Sequence, residues 1–218
     1  MRLDKPKQRW LDNIFEFARQ NSRIDKSVSV FIAGEGEMLA EMSKKAANIN
    51  AANRSRPIVY LVGPIFRMDE MTQFYNYADV VVGSGRGIME AMACRKPVIV
   101  LGENGEREVV TPENIEDIAY FNFSGRHFRH CSRSGNSLPV QLENLLSDAN
   151  TQKRLGDFSY QYIRTQLNAQ IGAEQLVRIY KRALNKRPSL VDYTMWDIQA
   201  IFNIIVLALK RRIPFQVA

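Results

Sequence analysis

Five residues, Gly83-Ser84-Gly85-Arg86-Gly87, combine a flexible backbone with one cation, and Glu90 follows one helical turn later. Three glycines strip side chains from the turn, so backbone N–H groups can come close to an anion. A helix starting near Ile88 would add the positive end of its dipole. Arg86 adds a formal charge. Glu90 is placed to face whatever fills the crevice, and a carboxylate can accept hydrogen bonds from two neighbouring hydroxyls. The plainer alternative is a turn followed by a solvated glutamate. Gly34-Glu35-Gly36 is the other glycine pair in a comparable place. Its third glycine is missing, because position 39 is Leu, and a tight strand-to-helix turn accounts for it. Neither turn has the spacing of a dinucleotide fingerprint.

The elements that must position these turns are legible in the chain. Val28–Ala33, Ile58–Val62, Asp79–Val82 and Pro97–Leu101 read as strands, being continuous apolar runs closed by turn residues. Between them Met38–Ala52, Met68–Tyr77 and Ile88–Cys94 read as helices, and Trp10, Ile14, Phe15, Phe17 and Ala18 give a first helix. Strand–helix alternation at this spacing implies right-handed βαβ units in a parallel sheet. Uninterrupted apolar strands imply cover on both faces. The expectation is an α/β, Rossmann-like layered fold with its ligand at the carboxyl ends of the strands. No strand precedes the first loop, Arg2 to Pro6, so a first strand is expected upstream, in a larger protein.

Gly102 to Ser137 is polar and glycine-rich, with Phe121 and Phe123 marking one strand. Leu138–Leu146 and Thr151–Leu184 read as helices, the second interrupted at Gly156 and Gly172. A last helix, Thr194–Arg211, follows Pro188. Its apolar residues leave only a narrow polar stripe, so it needs cover from its own domain or from a second copy. The expected division is a sugar-nucleotide-binding domain over 1–184 and a helical extension over 185–218.

The segment Tyr77-Ala78-Asp79-Val80 with Glu90-Ala91-Met92-Ala93-Cys94-Arg95-Lys96-Pro97-Val98-Ile99 resembles the carboxyl-terminal domain of GT-B glycosyltransferases, more narrowly the group 1 enzymes of family 4. Arg2-Leu3-Asp4 with Lys7 looks like the family's arginine–lysine motif. Ile32–Gly36 and Leu61–Ile65 are similar to its next two strand–turn units. The resemblance implies a donor linked to UDP or GDP and transfer of a hexosyl group with retention. It implies Arg2 and Lys7 as a clamp on the leaving pyrophosphate, which makes a metal or other cofactor unnecessary. It also implies Glu90 on the ribose and amides near Gly85 and Arg86 on the phosphates, with Gly34 and Gly63-Pro64-Ile65 lining the donor site. A glycan or lipid-linked acceptor would be held by an upstream domain, leaving this chain inactive alone. One departure stands out. Where the family usually carries a second glutamate, eight positions before Glu90, this chain has Val82. A nucleotide-binding module without transfer, or a sugar-nucleotide epimerase of the same architecture, are the competing readings.

Composition narrows the classes further. In 218 residues, 45% are hydrophobic and 24% charged, as in folded domains, which excludes disorder as the default. A net charge of +7 suits phosphate-bearing partners, but no aromatic-interleaved basic patch or zinc spacing supports nucleic-acid binding. His127, His130 and Cys131 lack a fourth ligand for a metal. With two cysteines, Cys94 and Cys131, there is no disulfide framework. No signal peptide is visible, so the expected location is the cytoplasm; Lys210-Arg211-Arg212 could touch an anionic inner membrane surface or equally cap the C-terminus of the last helix.

Overall fold

The computed structural model describes residues 3–5, 8–22, 28–53, 56–65, 67–102, 104–129, 136–185 and 198–199. The chain forms two compact units, Met1–Leu167 and Asn168–Ala218. The first is mixed α/β, with parallel strands flanked by helices. Its elements run α1 (Gln8–Ser22), β1 (Val30–Ala33), α2 (Leu39–Ala52), β2 (Val59–Val62), α3 (Met68–Tyr77), β3 (Val81–Gly83), α4 (Arg86–Ala93) and β4 (Val98–Leu101). After them come β5 (Arg107–Val109), α5 (Ile115–Tyr120), a 3₁₀ turn (Arg126–Arg129), α6 (Leu138–Ser147) and α7 (Ala149–Gln166). The second unit contributes α8 (Ala169–Asn185).

The parallel pairing expected from the βαβ rhythm is present, in two sheets. β1 lies parallel to β2, with Val30 opposite Val59 and Ala33 opposite Val62. β3 lies parallel to β4, with Val81 opposite Val98 and Gly83 opposite Val100. β5 adds an antiparallel edge to β4, pairing Ile99 with Val109 and Leu101 with Arg107.

β4 shows why its sequence does not alternate. All its residues are buried, but they serve two cores. Ile99 and Leu101 pack with Trp10, Phe17, Leu138, Leu142, Leu145 and Leu155. Val98 and Val100 face the other way, with Ile88, Ala91, Met92, Ile118 and Phe123. The strand period of two sorts the side chains, and helices on both faces make every one apolar. α1 divides its surface in a similar manner. Trp10 and Phe17 join the β4 core, while Leu11, Phe15 and Ala18 join Ile32, Met42 and Val59 around β1 and β2. One helix therefore ties the two sheets together, and its tryptophan donates an Nε1 hydrogen bond to the Gly102 carbonyl.

Three local expectations are corrected. Phe121 and Phe123 do not form a strand. They lie in the turn that ends α5, where Asn122 and Phe123 take φ of 52° and 56°. Phe123 is fully buried in that turn, so its apolar neighbour spacing reflected one core anchor rather than a pleat. The polar stretch after β4 contains the short strand β5 instead. The long helix breaks at Leu167 and Asn168, not at its glycines. At Gly156 the missing Cβ is what lets α7 press against the Arg95 carbonyl, so this glycine serves packing inside a continuous helix.

The expected last helix lies outside the described residues except Ile198 and Gln199, which are helical. Lys210-Arg211-Arg212 lies outside them as well. Among the described residues, no helix is long and apolar enough to cross a membrane.

Candidate nucleotide site

The turn after β3 is built by one glycine in a conformation that other residues avoid. Gly85 caps α4 with φ +68° and ψ −140°, a region essentially reserved for glycine. A Cβ on Gly85 would meet nothing within 4 Å, so the strain comes from the backbone and the space beside it is open. The Gly85 N–H donates to the Phe123 carbonyl at 2.7 Å, which pins the turn to the end of α5. The Gly85 amide is spent on the fold, and the first-turn amides of Arg86 and Gly87 are the ones left at the helix N-terminus.

α4 then places Glu90 one turn in, on the side of Arg86 and α3. Glu90 Oε1 lies 2.9 Å from Arg86 Nε, with Glu90 23% exposed and Arg86 84% exposed. The Tyr75 hydroxyl donates to Glu90 Oε2 at 3.1 Å. Both carboxylate oxygens are thus engaged by different groups. Burial, and then the Glu90 carboxylate beside it, push the Tyr75 phenol far above its ordinary range, so it remains a donor. Ser84, between the glycines, is half-buried.

The other turns are different in kind. After β1, Gly34 donates to the Val62 carbonyl at 3.0 Å, extending the β1–β2 ladder. The loop is filled by the chain itself. Leu3 N–H donates to Glu35 O at 2.7 Å, and Met38 N–H donates to Leu3 O at 3.0 Å. A Cβ on Gly36 would lie 2.6 Å from that same Leu3 carbonyl oxygen. After β2, Gly63 and Pro64 are exposed and Ile65 is half-buried, and a Cβ on Gly63 would meet nothing within 4 Å. Among the described residues the structure joins Arg86, Gly87 and Glu90 to one another and to Tyr75. Among the described residues, no hydrogen bond or ion pair joins them to Gly34 or to Gly63-Pro64-Ile65. Arg2 and Lys7 lie outside the described residues.

The turn after β4 was not singled out by sequence reasoning. There Glu106 accepts from the Asn104 amide at 2.9 Å and from its side chain at 3.1 Å, while Arg9 reaches the Asn104 carbonyl at 3.3 Å. Burial works against the Glu106 charge, but these hydrogen bonds and Arg9 prevail and hold its carboxyl below the usual range. Tyr75 and Phe123 were missed as well. Nothing in their local sequence distinguishes them from ordinary core aromatics, because their partners lie on other elements.

His127 is 2% exposed, and its Nε2 lies 3.4 Å from Glu108 Oε2. Its supposed companions His130 and Cys131 lie outside the described residues. Cys94 is half-buried, and burial raises its thiol above the usual range, which suits a packing role. An open depression of about 580 Å³ is lined by Glu108, Thr111, Asn114, Gln141, Asp148 and Arg154 among others. It shares no residue with the β3 turn.

Over residues 6–162 the sequence matches the family model described as glycosyl transferases group 1. The chain belongs to this family. The matched stretch contains every described residue of the β3 turn and Glu90. Comparison with curated proteins found no match. Among solved structures, the chain is similar to a TarM mutant from S. aureus, in complex with Fondaparinux, alpha-GlcNAc-glycerol and UDP. Identity is 18%, the TM-score is 0.54, and the match covers 82% of this chain and 34% of that one. The likeness is one of fold, and the chain spans about a third of that relative's length.

Proposed function

We propose that this group 1 glycosyltransferase domain binds a nucleoside-diphosphate sugar, with the diphosphate at the start of α4 and the ribose on Glu90. The observation that carries the reading is Glu90 itself. A carboxylate is held one turn inside a helix whose mouth is opened by Gly85, with Arg86 beside it. Anion-seeking amides and a hydroxyl-seeking carboxylate within one turn suit a phosphorylated sugar better than either partner alone. The similar TarM structure was solved with UDP, which favours a nucleoside diphosphate as the probe.

In this reading the donor is UDP- or GDP-linked and a hexosyl group is transferred with retention and without a metal. Arg2 and Lys7 steady the departing pyrophosphate, and the Gly63-Pro64-Ile65 turn lies toward the base. The acceptor, a glycan or a lipid-linked molecule, is held by a further domain, so this chain binds donor without transferring it. Val82 favours a second reading. With no carboxylate at that position, the domain recognises a nucleotide and performs no transfer.

Calorimetry of the chain with UDP and GDP tests the first claim. One of them binds, and Glu90→Gln weakens it roughly 10- to 100-fold, the loss of charge-assisted hydrogen bonds. Equal affinity of wild type and variant for both nucleotides sinks the reading. Donor hydrolysis by the chain joined to an acceptor domain separates transfer from mere recognition, since turnover excludes the non-catalytic module.

A further inference from the structure

We propose that Tyr75 is a positioning residue of this site: its hydroxyl fixes one oxygen of Glu90 so that the other faces the vicinal hydroxyls of a nucleoside. The inference rests on the reading of Glu90 as the ribose acceptor and adds the group that aims it.

Tyr75 stands near the end of α3, 8% exposed, with its ring in the core among Ile88, Ala91 and Met92. Only its hydroxyl reaches a polar group, Glu90 Oε2 at 3.1 Å. The α4 backbone passes close to that oxygen at Gly87, where a Cβ would lie 3.2 Å from it.

The two partners of Glu90 are unequal. Arg86 is an exposed i, i+4 neighbour, and such pairs are weak and readily exchanged for a phosphate. Tyr75 is anchored by its buried ring. When a diphosphate draws Arg86 away, Oε1 is released while Oε2 stays bound. A free glutamate would have to order its side chain on binding, at an entropic cost that the tyrosine removes beforehand. The raised phenol keeps the proton on Tyr75, so the bond persists as a donor to a carboxylate.

The test uses the full chain and a pair of probes, UDP and its 2′,3′-dideoxy analogue, with the guanosine pair run in parallel. Wild type prefers the ribonucleotide, and Glu90→Gln erases the preference. Tyr75→Phe weakens the ribonucleotide roughly 3- to 10-fold and leaves the dideoxy analogue unchanged. Equal weakening of both probes, or an unchanged preference, overturns the proposal while the Glu90 reading stands. A wild type that does not discriminate, or binds neither pair, overturns the Glu90 reading and this proposal with it. If Tyr75→Phe fails to fold, 4-fluorophenylalanine is placed at position 75 instead. It fills the ring's space and lacks the hydroxyl donor, and the same selective loss is expected.

Discussion

The turns after β1 and β3 both carry glycines at strand ends, yet they use them for opposite purposes. Gly36 is needed because another piece of the chain occupies the space, the Leu3 backbone at 2.6 Å from where a Cβ would be. Gly85 is needed because of its backbone conformation, and the space beside it is open. A glycine with filled surroundings is part of the packing. A glycine with empty surroundings and an arginine–glutamate pair alongside is a place where something else can sit. Sequence makes the two look alike, and the neighbours decide.

Alanine substitutions should pull the two turns apart. Gly36→Ala adds overlap to an unfavourable φ of +153° and should cost about 3 kcal/mol or more, a fall of roughly 6–12 °C in Tm. Nucleotide affinity of the molecules that remain folded should hold. Gly85→Ala meets strain without overlap, so about 1–3 kcal/mol is expected, together with weaker nucleotide binding. If Gly36→Ala melts like wild type, the distinction between filled and open turns collapses.

Arg86→Ala is the milder probe of the open turn. Its side chain is 84% exposed, so Tm should change little, while UDP affinity falls roughly 3- to 10-fold and loses some of its dependence on salt. A large fall in Tm would mean that the Arg86–Glu90 pair serves the fold rather than a ligand.

The smallest effect concerns pH. Burial and Glu90 raise the Tyr75 phenol in the folded chain, favouring its protonated form. Its stabilising share is therefore fully present below the ordinary tyrosine range, about pH 10, and is lost as pH rises through the higher folded value. The Tm difference between wild type and Tyr75→Phe should be constant below about pH 10 and narrow above it. A difference that narrows near neutrality would point to another group.

Much of the framework could be read from residue order. Apolar strand runs, helix formers between them and turn residues at their ends are local properties, and they placed β1 to β4 and α2 to α4 near their observed positions. The family motif around Glu90 is local too, and the match over 6–162 includes it. Local pattern failed where the deciding partner was distant. Phe121 and Phe123 resemble a strand until Phe123 is seen as an anchor beneath a turn. Gly156 resembles a break until the Arg95 carbonyl is found against it.

The candidate site divides in the same manner. Sequence alone determined that a glycine turn carrying Arg86 leads into the helix of Glu90; the structure begins that helix at Arg86, and a spacing of four residues then puts the two side chains together. Only the tertiary structure decided that Tyr75 meets Glu90, that Phe123 takes the Gly85 amide, and that Leu3 fills the Gly36 turn. Those contacts join residues far apart in the chain. They are fixed by how helices pack on sheets, which no short stretch of sequence encodes.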